Sequence, residues 1–232
     1  MIVIHFNSGI ENQVKYGQAL SDGFEVHGLR HNLTTSKTAK GDIHCIIGPW
    51  YAFNEYSGKC LYLDRACWDH PEYTCINWMN SGVKGWGWNT KNLARYHPEI
   101  RPWKDGSRLL ILCDYGEDGE QKALLANPHY EKITIRRHPD NRGGASLDQD
   151  LEGHDIAFGG RSTALVTAAI NGLRVMSYDK DSPIASIAGR VACINYRERG
   201  QWLKDLSWHN WTLNEISTGA AWEHLASLHN PL

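Results

Sequence analysis

Asp155 to Asp179 is the stretch of the sequence whose residue types best suit the binding of a phosphate. Its pattern predicts a strand, a glycine pair, a helix that starts around Arg161, Ser162 and Thr163, and a second strand. Ser162 or Thr163 can cap the helix, while its first backbone N–H groups and the positive end of its dipole attract an anion. An ordinary capped helix without a ligand has the same pattern, so this stretch needs a second indication.

Ile133 to Pro139, with the sequence ITIRRHP, supplies that indication by placing Arg136 and His138 at the end of a predicted strand. Open parallel sheets bind ligands outside the carboxyl ends of their strands, where an arginine and a histidine suit a phosphate. A solvated basic strand end is the alternative. Because this strand end and the helix start would meet at one edge of the same sheet, they predict a nucleotide site. Its residues would be Arg136, His138, Arg161, Ser162 and Thr163.

These two motifs resemble the C-terminal lobe of the GT-B-fold glycosyltransferases, especially the branch of bacterial sialyltransferases and capsule-polysaccharide transferases. In that branch an HP motif contacts the nucleotide and a Ser-(Ser/Thr) pair at a helix start holds its phosphate. His138-Pro139 and Ser162-Thr163 match the two motifs in order and context, and the resemblance extends from about Leu109 to Pro183. It implies a nucleotide sugar as the donor substrate, no separate cofactor and transfer of a sugar as the reaction.

Transfer of a sugar needs a base that takes the proton of the acceptor hydroxyl, and a carboxylate at the end of a parallel strand is suited to this task. Asp64, which follows the apolar run KCLYL, is the predicted base, with Asp69 and Asp114 as alternatives. A salt bridge to Arg65 or a turn cap is the structural explanation of Asp64. The acceptor is expected to contact polar and aromatic residues at the strand ends of the first half: Asn7, Ser8, Trp50, Tyr51 and Arg65.

Short apolar runs that alternate with segments of helical period predict an α/β fold with parallel sheets. The Pro- and Gly-containing segment His97 to Ser107 predicts a connector between two small Rossmann-like lobes, residues 1–100 on the acceptor side and residues 101–232 on the nucleotide-sugar side. Two closing helices, the last two helices of the sequence, are predicted to be separated near Trp211 and Thr212. They are expected to belong to the second lobe and to pack against both lobes. The predicted strands are Ile2–Phe6, His44–Ile47, Cys60–Leu63, Tyr73–Trp78, Leu109–Cys113, Lys132–Arg136, Asp155–Phe158 and Leu173–Tyr178. The predicted helices of the second half are Glu120–Ala126, Leu147–Glu152 and Ser162–Asn171.

Composition excludes several classes of protein. With 24 Lys and Arg against 26 Asp and Glu, the formal charge of −2 gives no general attraction to nucleic acid or anionic membranes. The start MIVIHF lacks the features of a signal peptide and no apolar run reaches the ~18 residues of a membrane helix, so a cytoplasmic protein is expected. The six cysteines show no C-x2-C pair, which predicts buried thiols and no metal site.

The resemblance to the GT-B-fold glycosyltransferases therefore implies a nucleotide-sugar-dependent glycosyltransferase. The segments LYLDRACW and DLSWHNWTLNEI also resemble proteins of tailed phages. This second resemblance implies a hydroxymethylated base in phage DNA as a candidate acceptor, and the host cytoplasm as the location. A non-catalytic nucleotide or nucleotide-sugar binding protein of phage counter-defence and a nucleotide-sugar epimerase are the alternatives, because the same phosphate-binding edge would serve either of them. The pattern gives no indication of the oligomeric state.

Overall fold

The structure is a computed structural model that describes residues 1–48, 59–68, 72–80, 83–84, 96–112, 129–137, 146–179, 182–185, 187–188 and 196–229. The chain divides into two compact units. The first unit comprises Met1–Ala66, His70–Gly87 and Trp208–Leu232, and the second comprises Cys67–Asp69 and Trp88–Ser207.

The first unit is built on a mixed sheet. Its strands are β1 (Ile2–His5), β2 (His31–Thr34), β3 (Ile43–Ile47), β4 (Lys59–Arg65), β5 (Tyr73–Asn80), β6 (Val83–Lys84) and, far along the chain, β11 (Asn210–Thr212). They lie in the order β11-β5-β4-β3-β1-β2, and β6 pairs with β5. The pairs β1–β2, β1–β3 and β3–β4 are parallel, whereas β5 runs antiparallel to β4, β6 and β11. The carboxyl ends of β1, β3 and β4, with the residues that follow them, form what we call the first edge.

The second unit is built on a sheet whose described strands are all parallel. These strands are β7 (Arg108–Leu112), β8 (Lys132–Arg136), β9 (Ile156–Gly159) and β10 (Arg174–Ser177), in the order β10-β9-β7-β8. Helices α2 (Leu147–Glu152) and α3 (Ala164–Ile170) precede and follow β9, and α4 (Tyr196–Ser207) comes after β10. The carboxyl ends of these strands, with residues 160–163 and 178–179, form what we call the second edge.

The core of the first unit lies between one face of its sheet and three helices, α1 (Glu11–Val26), α5 (Leu213–Ser217) and α6 (Ala220–His229). Phe24 of α1 meets the Trp222 ring of α6 edge to face, with their centroids 5.1 Å apart. A Cβ atom at Gly23 would lie 2.2 Å from the carbonyl oxygen of Ile216, so only glycine allows α1 and α5 to approach this closely. The closing helices after β11 are therefore part of the first core.

This packing corrects the predicted domain organisation. The sequence assigned residues 101–232 to one lobe, but the chain from Trp208 onward belongs to the first unit, and of the helices near the end only α4 lies in the second. The physical reason is that β11 pairs with β5 in the first sheet and that α5 packs on α1. The predicted break near Trp211 and Thr212 is where β11 ends and α5 begins.

The predicted α/β fold class is confirmed, since both units combine parallel strands with helices. Strands β1 and β3 consist wholly of buried residues, which explains why their apolar runs could be recognised in the sequence. Within the described part of the chain, no helix has the length and apolar character needed to cross a membrane.

Candidate functional site

The loop between β9 and α3 places the predicted phosphate-binding residues at the second edge. β9 ends at Gly159, which lies beside Leu112 of β7 and Ser177 of β10, and α3 begins at Ala164. The Ser162 hydroxyl accepts a hydrogen bond of 3.3 Å from the Ala164 N–H, as a helix-capping side chain does. Thr163 already has helical backbone angles and makes no capping bond with its side chain. Of the two predicted caps, Ser162 is therefore the one that the structure supports.

The end of β10 holds this loop. The Ser177 hydroxyl donates to the carbonyl oxygen of Gly160 at 3.0 Å and accepts from the Asp179 N–H at 3.1 Å. Nε of Arg161 donates to the Asp179 carboxylate at 2.6 Å, while about half of the Arg161 side chain stays exposed (49%). The guanidinium is thus anchored on one side and accessible to solvent at the second edge.

Arg136 has a different environment from the one that the sequence predicted. Its guanidinium forms an ion pair with Asp150 of α2, and only 8% of its side chain is exposed. Helix α2 is itself capped by Ser146, whose hydroxyl accepts from the Gln149 N–H at 3.3 Å. Arg136 therefore attaches α2 to the sheet in this structure. His138, the other predicted residue of this strand end, lies outside the described residues.

At the first edge, Gln13 binds the loop after β1 and lies close to Gly48. The Asn7 N–H donates to the Gln13 side-chain oxygen at 2.8 Å, and the Asn7 side chain accepts from the Gly9 N–H at 2.9 Å. Gly48, just after β3, has a φ of +77°, and a Cβ atom there would lie 2.5 Å from Nε2 of Gln13. Asn7 and Ser8, two of the predicted acceptor-side residues, are exposed, whereas Gln13 is buried. Sequence reasoning missed Gln13, and its signal was a polar residue on the buried side of α1.

Asp64 lies at the same edge, one residue beyond Leu63, which pairs with the last residue of β3. The half-buried Asp64 carboxylate accepts a hydrogen bond of 3.1 Å from the Tyr62 phenol. Its backbone carbonyl oxygen accepts from the Thr74 hydroxyl at 2.5 Å. Burial, with a further contribution from the Asp64 carboxylate, raises the pKa of Tyr62 well above its ordinary value, so the phenol remains a donor.

Of the remaining predicted acceptor-side and catalytic residues, one lies at the first edge and four lie outside the described residues. Arg65 is the last residue of β4 and so lies at the first edge. Trp50, Tyr51, Asp69 and Asp114 lie outside the described residues.

Two buried histidines, His5 and His44, lie side by side in the first sheet and were not singled out from the sequence. Nε2 of His5 is 2.9 Å from Nδ1 of His44, and the two rings stack with their centroids 5.2 Å apart. The outer ring nitrogens contact the carbonyl oxygens of Ser36 at 3.0 Å and Gly41 at 3.1 Å. Burial lowers the pKa of both imidazoles.

The cysteines of the described residues are buried, as the sequence predicted. They are Cys45, Cys60, Cys67 and Cys75. Burial raises the pKa of Cys60 to about 12 and that of Cys45 well above its ordinary value, so both stay protonated. Among the described side chains, no group of three or more His, Cys, Asp or Glu residues is arranged to hold a metal ion.

Comparison with known proteins identifies a fold. No protein-family model matches the sequence, and no curated protein sequence matches it. One similar solved structure is the KpsC beta Kdo 2,7 transferase of Thermosulfurimonas dismutans, at 10% identity and a TM-score of 0.50 over 96% of this chain and 99% of that chain. The KpsC beta Kdo 2,4 transferase of the same organism has 11% identity, a TM-score of 0.44 and coverage of 92% and 97%. The first likeness shows that this chain has the fold of a glycosyltransferase over nearly its whole length.

Proposed function

We propose that the protein is a glycosyltransferase that moves a sugar from a nucleotide sugar to an acceptor hydroxyl. The observation that carries this proposal is the loop between β9 and α3, where Arg161 and Ser162 lie at the carboxyl edge of an all-parallel sheet. Ligands of open α/β sheets bind at this position. The fold shared with a Kdo transferase supports the same conclusion.

The donor nucleotide is assigned to the second unit. In the proposal Ser162 and Thr163, with the backbone N–H groups around them, hold the phosphate, and the exposed side of Arg161 balances its charge. His138 contacts the rest of the nucleotide, as the HP motif implies. Arg136 acts indirectly, since its pairing with Asp150 fixes the strand end that leads to His138.

The acceptor is assigned to the first unit. In the proposed reaction the acceptor oxygen forms a bond to the anomeric carbon of the sugar, while the bond between that carbon and the phosphate oxygen breaks and the nucleotide leaves. Asp64 takes the proton of the acceptor hydroxyl, for which the first edge provides a fixed carboxylate. The acceptor would be bound by Asn7, Ser8, Trp50, Tyr51 and Arg65.

A hydroxymethylated base in phage DNA is the acceptor that the likeness to tailed-phage proteins suggests, and the enzyme would then act in the host cytoplasm. The formal charge of −2 means that a DNA acceptor would need a local basic surface instead of a general attraction. Hydroxymethylated DNA therefore belongs in the assay together with saccharide acceptors.

The test is incubation of the protein with a panel of nucleotide sugars and acceptors, followed by mass spectrometry of released nucleotide and of the acceptor. Release of nucleotide together with the added mass of a sugar on an acceptor supports the proposal. Binding of a nucleotide sugar without release would instead indicate a non-catalytic binding protein. Conversion of the donor sugar to an isomer without an acceptor would indicate an epimerase.

A further inference from the structure

We infer that Tyr62 is a positioning residue that fixes the carboxylate of Asp64 for proton transfer. The inference rests on the proposed function, in which Asp64 is the base. It starts from the hydrogen bond of 3.1 Å that the Tyr62 phenol donates to Oδ2 of Asp64. Tyr62 and Asp64 are two positions apart on β4, so their side chains lie on the same face of the sheet.

The environment of Tyr62 keeps the phenol as the donor of this hydrogen bond and the Asp64 carboxylate as its acceptor. The side chain is buried, with the whole residue 7% exposed, and its strand position lies opposite Asn77 of β5. Burial and the adjacent carboxylate disfavour the phenolate, so the phenol is the donor of this hydrogen bond. A carboxylate that accepts from a fixed phenol loses the freedom to rotate about its Cβ–Cγ bond.

The backbone beneath Asp64 is fixed as well. The Thr74 hydroxyl of β5 donates to the Asp64 carbonyl oxygen at 2.5 Å, and Thr74 is 1% exposed. On the other side of β4, the Gly48 N–H donates to the Leu63 carbonyl oxygen at 2.8 Å. The backbone is thus held from both neighbouring strands, and the Tyr62 phenol holds Oδ2 of the side chain. A base that is already held in one orientation loses no further side-chain freedom when it takes the acceptor proton.

The experiment compares Tyr62→Phe, Asp64→Asn and the double variant with the wild-type protein, using the donor and acceptor found in the panel. Tyr62→Phe is expected to lower kcat ~10-fold and to leave KM for the donor within about twofold, because one charge-assisted hydrogen bond is lost and donor binding is not involved. In the Asp64→Asn background the same substitution should change kcat less than about twofold, because the group that it orients is gone.

Tyr16→Phe is the matched control, since Tyr16 is a half-buried tyrosine of α1 that packs on the apolar core of the same unit. It should leave kcat unchanged. A second measurement does not depend on activity: the 13Cγ resonance of Asp64 at pH 8, identified by its loss in Asp64→Asn, should shift in Tyr62→Phe and stay in place in Tyr16→Phe.

The outcomes separate this inference from the proposed function. If the wild-type protein transfers sugar and Tyr62→Phe keeps full kcat, or if the effects of Tyr62→Phe and Asp64→Asn simply multiply, Tyr62 has no positioning role. An unchanged Asp64 resonance in Tyr62→Phe would also overturn the inference. If the wild-type protein transfers no sugar from any donor, the proposed function fails and the role of Tyr62 fails with it.

Discussion

The two edges are held by different kinds of interaction. At the second edge, two guanidinium–carboxylate pairs, Arg161 with Asp179 and Arg136 with Asp150, add to the neutral hydrogen bonds of Ser177. At the first edge, the described loop after β1 is held by a neutral donor, the Asn7 N–H that binds Gln13. Charged pairs respond to salt and to a bound phosphate, whereas neutral hydrogen bonds hardly do. The difference fits the proposed function, in which the second edge would bind a phosphate and the first edge would receive a neutral hydroxyl.

The largest effect is expected from Asp64→Asn, which removes the proposed base from the first edge. Transfer should fall by ~10²–10⁴, the usual contribution of general acid or base catalysis, while donor binding stays within a few-fold of wild type. Single-turnover transfer and calorimetric titration with the donor measure the two quantities. Asp22→Asn, a charge-matched change on α1, should leave both unchanged. Full activity in Asp64→Asn would indicate that Asp69 or Asp114 is the base instead of Asp64.

Asp155→Asn tests the charged interactions of the second unit through stability. The Asp155 carboxylate, 4% exposed, accepts two hydrogen bonds of 2.8 Å from the Arg108 guanidinium. These bonds hold the pKa of Asp155 below its ordinary value, so its stabilisation is present above the unfolded-state pKa and is lost as pH falls through the folded-state value. The free energy of unfolding at pH 7 should fall by about 2 kcal/mol, with a smaller difference at pH 3 and in high salt.

Urea unfolding at these pH values measures the effect of Asp155→Asn, and Asp148→Asn, on the exposed side of α2, is its control. A difference between Asp155→Asn and wild type that stays constant from pH 7 to pH 3 would show that the ion pair contributes no charge-dependent stability.

Ser162→Ala tests whether the second edge binds a nucleotide. Loss of the hydroxyl should weaken binding of nucleotide mono- or diphosphates by roughly 1–3 kcal/mol, and Arg161→Ala should act similarly. Combination of Ser162→Ala with His138→Ala should depart from additivity, because both residues would hold one ligand. Titration calorimetry is the measurement. Thr212→Ala removes the equivalent cap of α5 in the first unit and should leave nucleotide affinity unchanged; equal affinity in all variants would exclude this site.

The smallest effect is expected from Gln13→Met, which keeps the shape of the side chain and removes the hydrogen bond from the Asn7 N–H. We expect a loss of about 1 kcal/mol in the free energy of unfolding that does not change with salt, because no charge is involved. Urea unfolding at low and high salt measures it, with Gln18→Met on the exposed side of α1 as the control. If the loss in the free energy of unfolding depended strongly on salt, the contrast between charged pairs at the second edge and neutral hydrogen bonds at the first would be wrong.

The sequence predicted the second unit better than the first. Strands β7 to β10 were placed within a few residues. Strands β7 and β9 are short and largely buried apolar runs, whereas β8 and β10 are mostly half-buried or exposed. The predicted helix Glu120–Ala126 lies outside the described residues. Strand β2, His31–Thr34, was missed because it is a largely polar strand at the end of the sheet order. Strand β11 was missed because it has three residues and pairs with β5, more than a hundred positions earlier. Such a pairing leaves no trace in local periodicity.

The candidate site was predictable in position and less so in partners. Residue type and strand ends placed Ser162 and Asp64 at the carboxyl edges, where the structure has them. The partners Asp150 of Arg136 and Tyr62 of Asp64 could not be derived, because they depend on side-chain orientation across strands and helices. A basic strand end such as Arg136 is consistent with a ligand site and with an ion pair until the neighbouring helix is known.

The return of the chain to the first sheet at β11 has a consequence for synthesis on the ribosome. The second unit, which ends at Ser207, can be complete while the first still lacks α5, α6 and the strand that pairs with β5. At translation rates of ~5–20 residues per second, the early strands wait on the order of ten seconds for these partners. During that interval the apolar face around Phe24 is uncovered, so the nascent chain should depend on holding chaperones until Trp222 emerges from the exit tunnel.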